Sequence, residues 1–306
     1  MIVLRGHPFE WVVSAPTATT IGVFDGVHVG HRQVLGDLVE SSGELIATAV
    51  TFEPHPLAVL APDRAPLMLT DVDQRIAQFQ ALGVEVTGVL DFPEIRDLAP
   101  TEFAERVLVG ALAAQRVVLG ADFRFGRDRT GDVNFLRREG DRLGFVVEVV
   151  DMFGVLDGVV SSTRIRQTLS AGDVEGAAEM LARPYQLNGV VVEGDRRGRE
   201  LGFPTANLEP EPNRVVPGNG VYAGWVQIGE ESYPAVINIG VRPTFAGALR
   251  RIEAHLLGFQ GELYGEELAI DFLVRIRDEQ RFATTEALTG QISRDVATAG
   301  AILQPR

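Results

Sequence analysis

Thr20-Ile-Gly-Val-Phe-Asp-Gly-Val-His-Val-Gly-His31 starts β-branched and runs into an amphipathic segment whose apolar face is Val34, Leu35, Leu38 and Val39. A strand feeding a glycine-rich turn and then a helix is the opening unit of a parallel sheet with crossover helices. Unpaired N–H groups and the positive end of the dipole make such a helix start an anion site, and Gly22, Gly26 and Gly30 let a phosphate approach the backbone. His28 and His31 fall one turn apart and can face one ligand, where imidazole N–H groups can stabilise charge building on phosphate oxygens. The alternative is that these residues only shape a turn. A metal site is disfavoured, because no third ligand stands near the two histidines.

Outward from this segment, β-branched runs alternate with segments of helical period. The expected strands are Thr19–Phe24, Leu45–Phe52, Val84–Leu90, Arg116–Gly120 and Phe145–Val150. One helix is expected after Thr70, taken as its N-cap, with Ile76 and Phe79 on one side; another follows Pro100 and buries Phe103, Val107 and Leu108. This half reads as an α/β domain with a doubly wound parallel sheet. A further strand, Val155–Val160, leads into Ser161-Ser-Thr-Arg-Ile-Arg166, where hydroxyls at a helix start and an arginine one turn in can hold pyrophosphate. Read blandly, they are an ordinary N-cap and a surface arginine.

Arg183-Pro184-Tyr185 closes a short helix, Asp173–Leu181, and strands then follow without crossover helices. The boundary is therefore set between residues 182 and 183, giving domains 1–182 and 183–306. Leu268, Ile270, Phe272, Val274 and Ile276 alternate with Ala269, Asp271, Leu273, Arg275 and Arg277, as in a strand with one buried face. Looser strands are Gln186–Glu193, Gly220–Ile228, Tyr233–Ile239 and Arg251–Leu257. So many antiparallel strands in so short a stretch predict a small barrel. A C-terminal helix with Leu288, Ile292 and Val296 at helical spacing should pack across it.

The 306 residues suit two domains of about 100–200 each, and 45% hydrophobic with 23% charged content is that of a globular chain. No apolar run nears the ~20 residues of a membrane span and no leader pattern opens the chain, so a soluble, cytoplasmic protein is expected. Cysteine is absent, which excludes disulfides and thiolate chemistry. A net charge of −14 disfavours nucleic acid as a partner. All 28 basic residues are arginine, so neither a Walker-A lysine nor the protein-kinase lysine is present. Any ATP must be held by arginine, backbone amides, histidine or metal.

In the second half, Gly198-Arg-Glu-Leu-Gly-Phe-Pro-Thr-Ala-Asn207 is a glycine-rich loop in which Thr205 and Asn207, two apart in extended backbone, point the same way. Their oxygens are hard ligands suited to Mg²⁺ that keeps waters and borrows ATP phosphates. An ordinary Pro-Thr turn capped by Asn is the alternative. On the strand Arg251–Leu257, Ile252, Ala254 and Leu256 share one face, Glu253 and His255 the other. Glu253 is a candidate general base for phosphoryl transfer to an alcohol, or else a solvated strand residue.

The histidine turn with the later Ser-Ser-Thr-x-x-Arg resembles the nucleotidyltransferase superfamily. More narrowly, Thr51-Phe-Glu-Pro-His-Pro56 and Gly120-Ala-Asp-Phe-Arg-Phe-Gly126 look like the FMN adenylyltransferase half of bacterial FAD synthetases. Leu201-Gly-Phe-Pro-Thr-Ala-Asn-Leu208, Gly220-Val-Tyr-Ala223, Asn238-Ile-Gly-Val-Arg-Pro-Thr-Phe245 and Leu263-Tyr-Gly265 look like riboflavin kinase. The resemblance covers nearly the whole chain in the family's order. It implies a Rossmann-like nucleotidyltransferase domain followed by a riboflavin kinase-like barrel. It implies ATP contacts at Gly22, Phe24, His28, His31, Ser162, Thr163 and Arg166, and flavin contacts at Asp122 and Phe125, which read alone are a turn residue and a core aromatic. For the barrel it implies Mg-nucleotide at Gly202, Thr205 and Asn207, the metal falling to Thr205 and Asn207, and Glu253 activating the riboflavin 5′-hydroxyl.

Departures from the family pattern are Ala182 for glycine, Gly258 for aspartate, and no lysine in Gln280-Arg281-Phe282; none touches a proposed catalytic group. The implied substrates are riboflavin, FMN and ATP, with Mg²⁺ as cofactor, no nucleic acid or membrane partner, and a homo-oligomer left open. Two alternatives stand: a nucleotidyltransferase for another phosphate ester, and a flavin-sensing or RNA-binding regulator on the same folds.

Overall fold

A computed structural model of the chain describes residues 1–150, 160–194, 198, 201–244 and 247–304. The strand expected at Val155–Val160 lies outside the described residues apart from Val160, as do Arg199, Glu200 and Phe245 of the quoted motifs.

Two compact units form: Met1–Pro66 with Asp71–Ser161, and Leu67–Thr70 with Ser162–Arg306. The first holds a six-stranded sheet in the order β1-β4-β3-β2-β5-β8, built from β1 (Ile2–Leu4), β2 (Thr17–Ile21), β3 (Ile46–Glu53), β4 (Val86–Asp91), β5 (Ala114–Gly120) and β8 (Val146–Val150). Every pairing in it is parallel. The chain winds from β2 through β3 to β4, then returns to β5 on the other side of β2. The topological switch point thus falls between β2 and β5, where ligands of such folds bind.

Both faces are covered. α1 (Val29–Ser42) buries Val34, Leu35 and Leu38, and α3 (Val72–Ala81) buries Ile76 and Phe79. On the other face α5 (Pro100–Phe103) continues through 104–111, burying Phe103, Val107 and Leu108 with Trp11, Val117 and Leu119. The short turns α2 (Pro56–Leu60) and α4 (Phe92–Ile95) follow β3 and β4, and α6 (Val133–Leu143) precedes β8. Three details differ from the sequence reading. β2 stops at Ile21, because the backbone turns left-handed at Phe24 (φ 51°). The cap of α3 is Asp71, not Thr70, because Asp71 and Gln74 close a reciprocal capping box. The edge strand β1 and a two-residue hairpin, β6 (Arg124–Phe125) with β7 (Gly131–Asp132), are too short to carry a periodicity.

In the second unit β9 (Tyr185–Val192), β10 (Ala206–Pro210), β11 (Gly220–Ile228), β12 (Glu231–Thr244), β13 (Gly247–Leu256) and β14 (Glu267–Arg277) close a barrel in the order β10-β13-β12-β11-β14-β9. Tyr185, Leu187, Tyr222, Ile237, Ile252, Ile270 and Phe272 fill it. The alternation expected along β14 holds only to Phe272. A bulge opposite Ala223 and Gly224 leaves Leu273 without a partner, and Leu273 and Ile276 then pack with Val296 of α9 (Thr285–Ile302). Gly224 is required there, since a side chain would strike the Asp271 carbonyl.

The change from helices to strands falls at residues 182–185, between α8 (Val174–Leu181) and β9. By packing, however, α7 (Ser162–Ser170) and α8 join the barrel unit: Gly218 N–H donates to the Leu169 carbonyl (2.8 Å), and Gly172 lies against Arg275. Contacts, unlike element type, divide the chain after Ser161.

Candidate active sites

In the first unit the turn after β2 places His28 as N-cap of α1, its Nδ1 accepting the His31 N–H (3.4 Å). That bond leaves the His28 proton on Nε2, as a donor. The two imidazoles stack, centroids 3.6 Å apart and 17° between planes. Burial first, and then the neighbouring His28, hold the His31 pKa well below its ordinary value, so His31 is neutral and still carries one ring N–H donor. Phe24 is buried; it turns one ring edge-on to His31 (5.3 Å) and to Phe79 (5.4 Å), so it backs His31. Gly22 makes room for that ring: an added methyl would lie 3.0 Å from Phe24 Cζ.

Asp122 follows β5, next to β2 across the switch point, and is exposed. Phe125 is buried at 7% exposure, packed on Phe103, Phe135 and the half-buried Phe123, which stacks on it at 5.6 Å and 15°. The structure therefore makes Phe125 a core aromatic that supports Phe123, because Gly131 lets the β6–β7 hairpin close directly over its ring (2.5 Å to an added methyl). Ser162, Thr163 and Arg166 open α7 in the second unit, and Arg166 Nε donates to the Leu67 carbonyl (2.6 Å).

In the barrel, the sequence-predicted residues converge. A cavity of about 430 Å³ is lined by Thr205, Asn207, Asn238, Arg251, Glu253 and Glu279, among others. The register explains this: Asn207 pairs with Glu253 across β10–β13, and Asn238 pairs with Glu253 across β12–β13. Directly paired residues point to the same side, so two amides flank the carboxylate. Arg251, two residues earlier on the same face, places a guanidinium nitrogen 3.8 Å from Glu253 Oε1. His255 Nδ1 donates to the Pro204 carbonyl (2.7 Å) and its ring meets Phe203 edge-on, which holds the segment carrying Thr205 over the cavity. Gly202 (φ 84°) starts that segment in left-handed backbone. A second cavity, about 290 Å³, is lined by Pro204, Thr205, Ala206, Phe259, Leu263 and Tyr264. Thr205 is common to both.

The FAD synthetase model matches residues 12–164, and the riboflavin kinase model residues 181–303. A bifunctional riboflavin kinase/FMN adenylyltransferase of Pseudomonas fluorescens is 43% identical over 94% of this chain and 93% of its own length. The chain belongs to the bifunctional riboflavin kinase/FMN adenylyltransferase family. A member from Bacillus subtilis is 37% identical, covering 94% of each chain. A crystal structure described as a macrolide-efflux protein of Streptococcus pneumoniae superposes with a TM-score of 0.89 at 30% identity, over 98% of this chain and 99% of that one. No described helix of this chain is long and apolar enough to cross a membrane.

The family's sheet and barrel are both as the sequence reading expected. The sequence reading did not single out Asn238 and Glu279, which line the barrel cavity, Phe123, which stacks on Phe125, or Asp25, a carboxylate only 2% exposed within the histidine turn. Asn238 and Phe123 lay inside quoted motifs, so the signal was present, but register and burial were needed to assign them.

Proposed function

We propose that residues 183–306 phosphorylate riboflavin to FMN and that residues 1–182 adenylylate FMN to FAD. The observation that carries the first half is the row Asn207, Glu253, Asn238 facing one cavity beside Thr205. Riboflavin takes the larger cavity, its 5′-hydroxyl against Glu253, and ATP the smaller, with Thr205 where the phosphates meet. Glu253 accepts the hydroxyl proton; the oxygen attacks the γ-phosphorus, and the bond to ADP breaks.

Mg²⁺ suits this donor set. Thr205 and Asn207 offer neutral hard oxygens, Gly194 and Gly198 leave room beside them, and the described residues contain no cluster of three or more His, Asp or Glu able to hold a metal alone. Thr205 and Asn207 would hold such an ion together with ATP phosphate oxygens, and it would supply positive charge beside the transferring group. Thr205 and Asn207 hold that nucleotide, and Asn238 fixes the Glu253 carboxylate.

In residues 1–182, an FMN phosphate oxygen attacks the α-phosphorus of ATP and pyrophosphate leaves. His28 and His31 donate N–H bonds to the α-phosphate oxygens as charge builds there. By family resemblance Ser162, Thr163 and Arg166 are assigned to ATP, and Asp122 and Phe125 to the flavin; the half-buried Phe123, stacked on Phe125, offers the more accessible ring.

Chromatography of reactions over time tests the division. Glu253→Gln should lower FMN formation roughly 10²–10⁴-fold and spare FAD formation from FMN; His31→Ala should do the reverse. Loss of both activities in either folded variant refutes it.

A further inference from the structure

Arg75 on α3 is only 3% exposed, and neither reaction above uses it. Its Nη1 lies 3.0 Å from the Val23 carbonyl, 2.6 Å from Thr51 Oγ1 and 3.1 Å from the Phe52 carbonyl. Thr51 donates its own proton to the Val23 carbonyl (2.9 Å), so its oxygen accepts from the guanidinium. Three oxygens from the end of β3 and the turn after β2 thus converge on one buried nitrogen.

Val23 is the residue before Phe24 (φ 51°), and Val27 (φ 41°) comes three residues later. Non-glycine residues stay left-handed only where their surroundings hold them so. Phe79, one turn beyond Arg75 on α3, packs against the Phe24 ring, and that ring packs against His31. One helix face therefore grips the turn twice, by the carbonyl before Phe24 and by its ring.

We propose that Arg75 is a positioning residue for adenylyl transfer, presetting the His28–His31 pair through the Val23 carbonyl. The proposal rests on the assignment of His28 and His31 to ATP. A lysine ammonium carries three donors, matching the three oxygens around Nη1. Lysine should therefore replace Arg75, whereas methionine, flexible and apolar but without a donor, should not.

The test measures FAD formation from FMN and ATP by the full chain as native, Arg75→Met, Arg75→Lys and His31→Ala, with circular dichroism and thermal melts of the same preparations as the folding control. Since a displacement near 1 Å costs about 10²-fold, Arg75→Met should lose about 100-fold in kcat with KM values within about threefold. Arg75→Lys should return to within about threefold of native. Native kcat in Arg75→Met, equal loss in both Arg75 variants, or loss in proportion to unfolded protein overturns the proposal. If Arg75→Met does not fold, Thr51→Val takes its place: about tenfold lower kcat supports the relay, and native kcat refutes it. If His31→Ala keeps full adenylylation, the site assignment has failed; if only His31→Ala is impaired, the Arg75 proposal alone has failed.

Discussion

Replacing Gly194 by alanine should disable phosphorylation through a neighbour's side chain and leave the fold intact. The added methyl would lie 2.5 Å from Asn207 Cγ and 2.6 Å from its Oδ1, closer than any real contact. The obstacle is the end of a side chain, so Asn207 rotates away and no backbone has to move. The stability cost should stay below about 1 kcal/mol, as for other substitutions outside packed cores. The functional cost is the loss of one oxygen ligand to a charged group, about 1.5–3 kcal/mol, which is roughly 13- to 160-fold in kcat/KM. Steady-state FMN formation over a range of ATP concentrations, beside a thermal melt, measures both, with FAD formation from FMN as the unaffected reference. A double-mutant cycle sharpens the test. Once Asn207→Ala has removed the amide, adding Gly194→Ala should cost nothing further, whereas independent effects would multiply. A fully active Gly194→Ala enzyme, or additive losses in the double variant, would refute the placement of Asn207 at the nucleotide.

Two more outcomes follow from buried charge. Arg277 Nε and Nη2 hold the Asp295 carboxylate at 2.7–3.1 Å, and Gln291 adds a bond at 2.8 Å. Arg277→Met strands Asp295, 3% exposed, and should destabilise the barrel unit by about 3–5 kcal/mol in urea melts, with Arg277→Met/Asp295→Leu recovering much of it; a loss under about 1 kcal/mol contradicts this. His31 is held neutral, with its folded pKa depressed below 6.5. The unfolded chain therefore takes up the proton first, and His31's contribution is present above pH 6.5 and lost as pH falls from there toward the folded pKa, by up to about 1.4 kcal/mol per pH unit. Calorimetry of native protein and His31→Phe across that range should show the steeper decline in the native protein, and parallel curves would dismiss the effect.

Much of the architecture was legible because it is written in neighbours. The strand-turn-helix at residues 20–31, the alternation at 251–257 and the motif Leu201–Leu208 each encode their local conformation within about ten residues, through side-chain period and glycine content. Short pieces escaped: β1 and the β6–β7 hairpin take their stability from the strands beside them. The strict alternation read into β14 failed at Leu273, because the bulge depends on what Ala223 and Gly224 require across the ladder. The burial of Phe125 depends on Gly131 closing over its ring, which the residues around Phe125 do not announce.

Sequence by itself therefore determined the two fold classes and their order, and singled out the histidine pair, Thr205, Asn207 and Glu253 as candidates. Only the tertiary structure decided that Asn238 stands beside Glu253, that α7 and α8 pack on the barrel, and that Arg75 grips Val23 from 52 residues away. The reason is that a residue's neighbours along the chain set its backbone, while register and burial arise only when distant segments close on one another.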